Sequence, residues 1–140
     1  MIIRDATFED AEALLPLAKE AHAASFMAAW PMNEAELQRL FVVTMAFDDG
    51  FAKVVERDGK VVGGMIGAVT NNAFGIRCGA DHFTFSCGGT TELIKEFKTW
   101  ALSRGAKFVH LTDLSGRPRY HQLITGLGFE PCGFNFVGVA

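Results

Sequence analysis

Gly88-Gly89-Thr90-Thr91 stands between an alternating stretch, residues 81–85, and a strong helical repeat. Consecutive main-chain amides at a helix start, with glycines letting the backbone come close, hold a diphosphate by hydrogen bonds and the helix dipole. The same pair also makes a plain strand-to-helix turn capped by Thr90 or Thr91. Among proton-exchanging side chains, Glu56, Asp81, His82 and His110 fall on or beside predicted strands. Alternation sets Asp81, Phe83 and Phe85 on one face and His82, Thr84 and Ser86 on the other, so only one of Asp81 and His82 is expected to face a common site. His82 is the side-chain type that trades protons near neutrality, and it equally suits a hydrogen-bonded structural role. Tyr120 offers a phenolic proton. Cys87 precedes the glycines, where a helix dipole favours a thiolate, and it also reads as a small apolar packing residue. Cys78, His82 and Cys87 fit no standard zinc spacing, so no metal site is expected.

These residues need a scaffold, and the hydrophobic pattern supplies one. Residues 1–4 read as a short strand, and Thr7 with Asp10 as a capping box ahead of a helix carrying Ala11, Leu14, Leu15 and Ala18 on one stripe. Asn33 with Glu36 caps a second helix bearing Leu37, Leu40, Phe41, Thr44 and Met45. Residues 51–57 and 60–69 flank Asp58-Gly59, a pairing that suits a type I′ hairpin. Residues 71–79 read as loop, and 81–85 as a third strand. Leu93, Ile94, Phe97, Trp100 and Ala101 then mark the clearest helix, stopped by Gly105. Residues 108–112 follow as a strand, which requires a right-handed parallel crossover. Pro118 opens a last helix through Leu127, and residues 129–139 are apolar enough for one or two closing strands. The order is strand, helix, helix, three strands, helix, strand, helix and closing strands, with no repeat or linker, so residues 1–140 are read as one domain.

Bulk composition narrows the partners. The 140 residues are 49% apolar and 21% charged, with a net charge of −3. Such a chain packs a core, and its scattered cations give no field for nucleic acid. No apolar run approaches a membrane span. An odd number of cysteines without a Cys-x-x-Cys pair suits a reducing, cytoplasmic setting.

The element order, Gly88-Gly89-Thr90-Thr91 before an amphipathic helix, and Gly128-Phe129 after the last helix together resemble the GNAT family of acyl-CoA N-acyltransferases. The resemblance spans essentially the whole chain, and the brief carboxyl end and Asn71-Asn72 loop are similar to short phage-encoded GNAT-like proteins. It implies a mixed α+β fold: a mostly antiparallel sheet, helices on both faces, and a parallel strand pair splayed around acetyl-CoA. The family's phosphate loop, Gln or Arg-x-x-Gly-x-Gly or Ala, corresponds to Phe85-Ser86-Cys87-Gly88-Gly89-Thr90. One glycine is kept, while Phe85 and Thr90 depart from the pattern. By the resemblance, Phe83, Phe85, Ser86, Cys87, Gly88, Gly89, Thr90 and Thr91 bind acetyl-CoA, and Gly63-Gly64 lies beside the substrate. The implied activity is acetyl transfer to a primary amine, on a small molecule or a protein, by direct attack in a monomer or homodimer. Many members place a tyrosine acid five residues before the Phe of Gly-Phe, which falls here on Ile124. Tyr120, one turn earlier and about 6 Å along the axis, is the candidate donor, and His82 the candidate base. Phe26, Trp30 and Met32 fall where the family forms its acceptor pocket. A catalytically silent domain with a structural or interaction role is the alternative, favoured by Phe85, Thr90 and Ile124.

Overall fold

The computed structural model describes residues 1–86, 88–114, 117–133 and 135–139, with Ser86 by its backbone only. Its elements are β1 (Ile2–Asp5), α1 (Asp10–Ala23), a 3-10 turn (Phe26–Ala29), α2 (Glu34–Ala46), β2 (Gly50–Arg57), β3 (Lys60–Asn71), β4 (Arg77–Ser86), α3 (Thr90–Ser103), β5 (Val109–His110) and α4 (Pro118–Gly126). One sheet runs β1-β2-β3-β4-β5, antiparallel except for the β4–β5 pair. This is the mixed α+β arrangement expected, with helices on both faces.

Local chemistry accounts for the main boundaries. Asp58 and Gly59 both take positive φ, 52° and 74°, as a type I′ turn demands. The Asn33 side chain accepts the Glu36 amide at 3.2 Å and starts α2. At α1 half of the expected box forms: the Thr7 amide donates to Asp10 Oδ2 at 2.7 Å, and the helix is otherwise uncapped by a side chain. On one sheet face Phe51, Val55 and Met65 pack with Leu93 and Phe97 of α3. On the other, Val54 and Ile66 pack with Leu14 of α1 and Phe41 of α2. The β3 glycines serve this packing: a Cβ at Gly64 would meet Leu14 at 2.8 Å, and one at Gly67 would meet Phe97 at 2.9 Å. Gly64 therefore lies under α1, where its expected place is beside the substrate.

Two strand expectations are corrected. Arg77, Cys78 and Gly79, read from sequence as loop, begin β4, because β3 runs on to Asn71 and pairs with them. The expected closing strands are not formed: residues 129–133 and 135–139 carry no strand, and Phe136 is 91% exposed. A closing strand needs a ladder to join, and β5 spans two residues, while Pro131 lacks an amide to donate.

Beside the sheet, Arg4 Nη1 and Nη2 grip Asp10 at 2.7 and 3.1 Å, and its Nε donates to Glu56 at 2.8 Å. Burial alone would raise the Asp10 carboxyl, but Arg4 and Thr7 outweigh it and hold it below its ordinary value. Arg4→Ala strands that buried charge and is expected to cost about 3 kcal/mol at neutral pH. The ionised Asp10 favours folding above the ordinary aspartate range and loses that advantage as pH falls through its depressed value. Urea titrations should therefore show the gap between mutant and parent narrowing as pH falls below the ordinary aspartate range.

Candidate functional site

β4 and β5 pair only at Gly79–Val109 and Ala80–His110. Beyond that point β4 continues to Ser86, while the chain after β5 turns away through residues 111–114, so the two parallel strands part. The opening encloses about 430 Å³. Residues 81–85 of β4 line one side of it, with Thr90 at the start of α3. Thr112, Asp113, Arg117 and Tyr120 line another, and α1 with the chain after it closes the third.

A bulge decides what β4 presents. Ile66 pairs with Phe83 and Gly67 with Asp81, leaving His82 as the extra residue. Strict alternation, which separates Asp81 from His82, fails here, and both line the opening. No turn residue marks the bulge in the sequence; its cause is a register shift against β3. Phe83 and Phe85 do share a face, with ring centroids 4.2 Å apart.

Asp81 is the most perturbed carboxylate in the cleft. Burial pushes it up to about 6, against the Thr112 and Asp81 amides and the charge of His110, which favour the ionised form. The Thr112 amide donates to its Oδ1 at 3.1 Å, fixing the side chain where the strands part. Tyr120 is half-buried and pushed up to about 12, by burial first and then by Asp81 and Asp113. It therefore keeps its proton through neutral pH, the state a donor must be in. Ile124, one turn further along α4, does not line the cleft; Tyr120 does. The hydroxyl oxygen of Thr84 is buried with no hydrogen-bond partner.

Not every singled-out residue converges. Glu56 is tied to Arg4 at the β1–β2 pair. His110 ends β5 and reaches the cleft through its charge on Asp81. Met32 lines the cleft together with Met27, while Phe26 and Trp30 do not and are about half exposed. Cys87 lies outside the described residues. Among those described, no three metal-ligating side chains cluster, and no helix is long and apolar enough to cross a membrane.

The glycine pair sits at the α3 start with positive φ at both residues, 151° and 83°. Gly89 is the N-cap position and offers no side chain to the first-turn amides of Thr90 and Thr91. Its own missing side chain points at protein: a Cβ there would lie 2.9 Å from both Val55 methyls. At Gly88 a Cβ would lie 3.2 Å from the Arg57 guanidinium. Packing against β2 is therefore a sufficient reason for Gly89, independent of any ligand.

No family model matches the chain, and no curated protein matches it in sequence. Solved structures match it throughout. The ribosomal-protein-alanine N-acetyltransferase of Brucella melitensis biovar Abortus 2308 superposes with a TM-score of 0.72 at 16% identity, covering 100% of each chain. The aminoglycoside 6'-N-acetyltransferase AAC(6')-IG of Acinetobacter haemolyticus gives 0.75 at 14%, covering 100% of this chain and 98% of that one. AAC(6')-Iy, solved with the bisubstrate analogue CoA-S-monomethyl-acetylneamine, gives 0.76 at 14%, covering 99% and 97%. At such identity the likeness speaks to architecture, and on that count the chain carries the GNAT acetyltransferase fold from end to end.

Proposed function

We propose that this chain is an acetyl-CoA-dependent N-acetyltransferase that moves the acetyl group to a primary amine by direct attack. The observation that carries the reading is the cleft where β4 and β5 part, with Asp81 and Tyr120 both on its wall. A thioester arm laid between the strands would run along Phe83 and Phe85 of β4, past the point where β5 stops pairing with it, and its diphosphate would meet the amides from Gly88 to Thr91. Ser86 and Cys87 belong to the same loop in this reading. The orphan hydroxyl of Thr84 fits such a ligand, which would supply the partner that the protein does not.

In the reaction the amine lone pair forms the N–C bond and the C–S bond breaks. The nitrogen sheds a proton, and the departing sulfur takes one up. Asp81 accepts the proton from nitrogen, for which it must be ionised, so kcat/KM should rise with pH through about 6. His82, at the bulge and exposed to solvent, passes that proton outward. Tyr120 protonates the sulfur. Tyr120→Phe is expected to lower kcat about 100-fold with the KM for acetyl-CoA nearly unchanged, and an unchanged kcat removes Tyr120 as the acid.

Isothermal titration of the full chain with acetyl-CoA tests the reading directly, followed by thiol release with an amine panel. Saturable heat and amine-dependent thiol release are expected. No heat at millimolar ligand favours the silent domain instead.

A further inference from the structure

The acceptor's chemistry is written in the third wall of the cleft. Leu17 and Ala21 of α1, Met27 of the 3-10 turn, Met32, and Leu37 of α2 line it, an apolar patch in a wall that also carries Glu20, His22 and Ser25, across the cleft from Asp81. We propose that the acceptor is a small monocationic amine with an apolar body, seated with its ammonium toward Asp81 and its body against this wall. The proposal rests on the acetyltransferase reading and narrows it to a substrate class.

Three properties select that class. A half-buried carboxylate held by the Thr112 amide has no ion pair among the described residues, His110 acting on it through its charge, and an ammonium supplies a direct partner. The side chains of Leu17, Ala21, Met27, Met32 and Leu37 give no partner to hydroxyl groups, so a polyhydroxylated amine laid on them would lose water without replacement. A carboxylate beside the amine would sit near the charge of Asp81. Glu20, Arg117 and His82 also line the opening but are exposed to solvent, where their fields are screened, and His22 is half-buried on the α1 wall. Met27 and Met32 add unbranched, adaptable surface suited to a flat or flexible apolar group.

Phenethylamine, phenylalanine and kanamycin separate the alternatives: one apolar monocation, its α-carboxylated zwitterionic counterpart and one polyhydroxylated polycation. Binding to the full chain is measured by calorimetry without acetyl-CoA, and turnover by thiol release with it. Phenethylamine is expected to bind at least about tenfold more tightly than either rival. Asp81→Asn, which keeps an acceptor for the Thr112 amide, should weaken it about tenfold or more. Ala21→Arg, on the exposed face of a helix and compatible with folding, should weaken phenethylamine similarly and improve phenylalanine, because it brings a cation to the wall. Selective binding of phenethylamine without thiol release keeps the substrate class and removes the acetyltransferase reading. Turnover that prefers phenylalanine or kanamycin keeps that reading and overturns the class. Absence of both binding and turnover overturns both.

Discussion

Replacing Asp81 with Asn is expected to make the protein more stable and far less active at the same pH. The folded state holds the Asp81 proton up to about pH 6, whereas an unfolded aspartate releases it near 4. Between those values the unfolded chain gives up its proton first, so stability falls as pH rises and levels off above about 6. The burden at pH 8 is about 3 kcal/mol at most. Asn removes the titration while retaining an oxygen for the Thr112 amide, so the thermal midpoint at pH 8 should rise by roughly 5 to 10 °C. At pH 4, where the parent carboxyl is protonated as well, the two proteins should melt together. In the acetyltransferase reading the same variant has no base, and kcat/KM should fall at least about 100-fold. Melting curves at both pH values and a thiol-release assay at pH 8 check the pair. A mutant melting below the parent at pH 8 would show that the carboxylate pays its way through contacts within the fold.

Gly89→Ala should be among the most damaging single changes outside the core. Alanine at φ 83° carries a left-handed penalty of about 1 kcal/mol. Its Cβ would also press on both Val55 methyls at 2.9 Å, and Val55 is fully buried in the core under α3. Overpacking of this kind adds about 1–3 kcal/mol, so a loss near 3 kcal/mol is expected in urea unfolding. Gly89→Asp carries the same strain with a larger group, so loss of acetyl-CoA binding in that variant would not by itself locate the diphosphate. Thr91→Asp places a charge on the same turn without the glycine geometry. It should leave the midpoint within about 2 °C, in keeping with a surface change. In the proposed reading it should weaken acetyl-CoA about tenfold or more through like-charge repulsion. Retained affinity would place the diphosphate elsewhere.

Periodicity made most of the fold readable. The Leu93, Ile94, Phe97 and Ala101 stripe is the buried face of α3, and Asp58-Gly59 turns the hairpin as its dihedrals require. These features are local, set by residues a few positions apart. The closing strands were illegible for the opposite reason: residues 129–139 have the composition of a strand, but a strand also needs an edge, and β5 is too short to offer one. The site divides along the same line. Tyr120 and His82 stand out by residue type, and the structure brings both to one cleft. Asp81 looks unavailable beside His82 while strict alternation is assumed, and only the shifted register with β3 puts the two together. The Thr112 amide on Asp81 joins residues 31 positions apart and has no trace in either segment.

The brevity of the β4–β5 ladder has a mechanical consequence. The chain beyond it is joined to the sheet by two residue pairs, with Gly79 N to Phe108 O at 3.0 Å and Lys107 N to Arg77 O at 2.8 Å, and past them by isolated contacts such as the Thr112 amide on Asp81 and the Lys98 ammonium over the Phe129 ring. The β2–β3 hairpin, in contrast, is laced along eight residues of β2. In deuterated solvent the amides past Ala106 would exchange long before those of β2 and β3, as a separately melting unit. The molecule can thus loosen one bank of its cleft without disturbing the other.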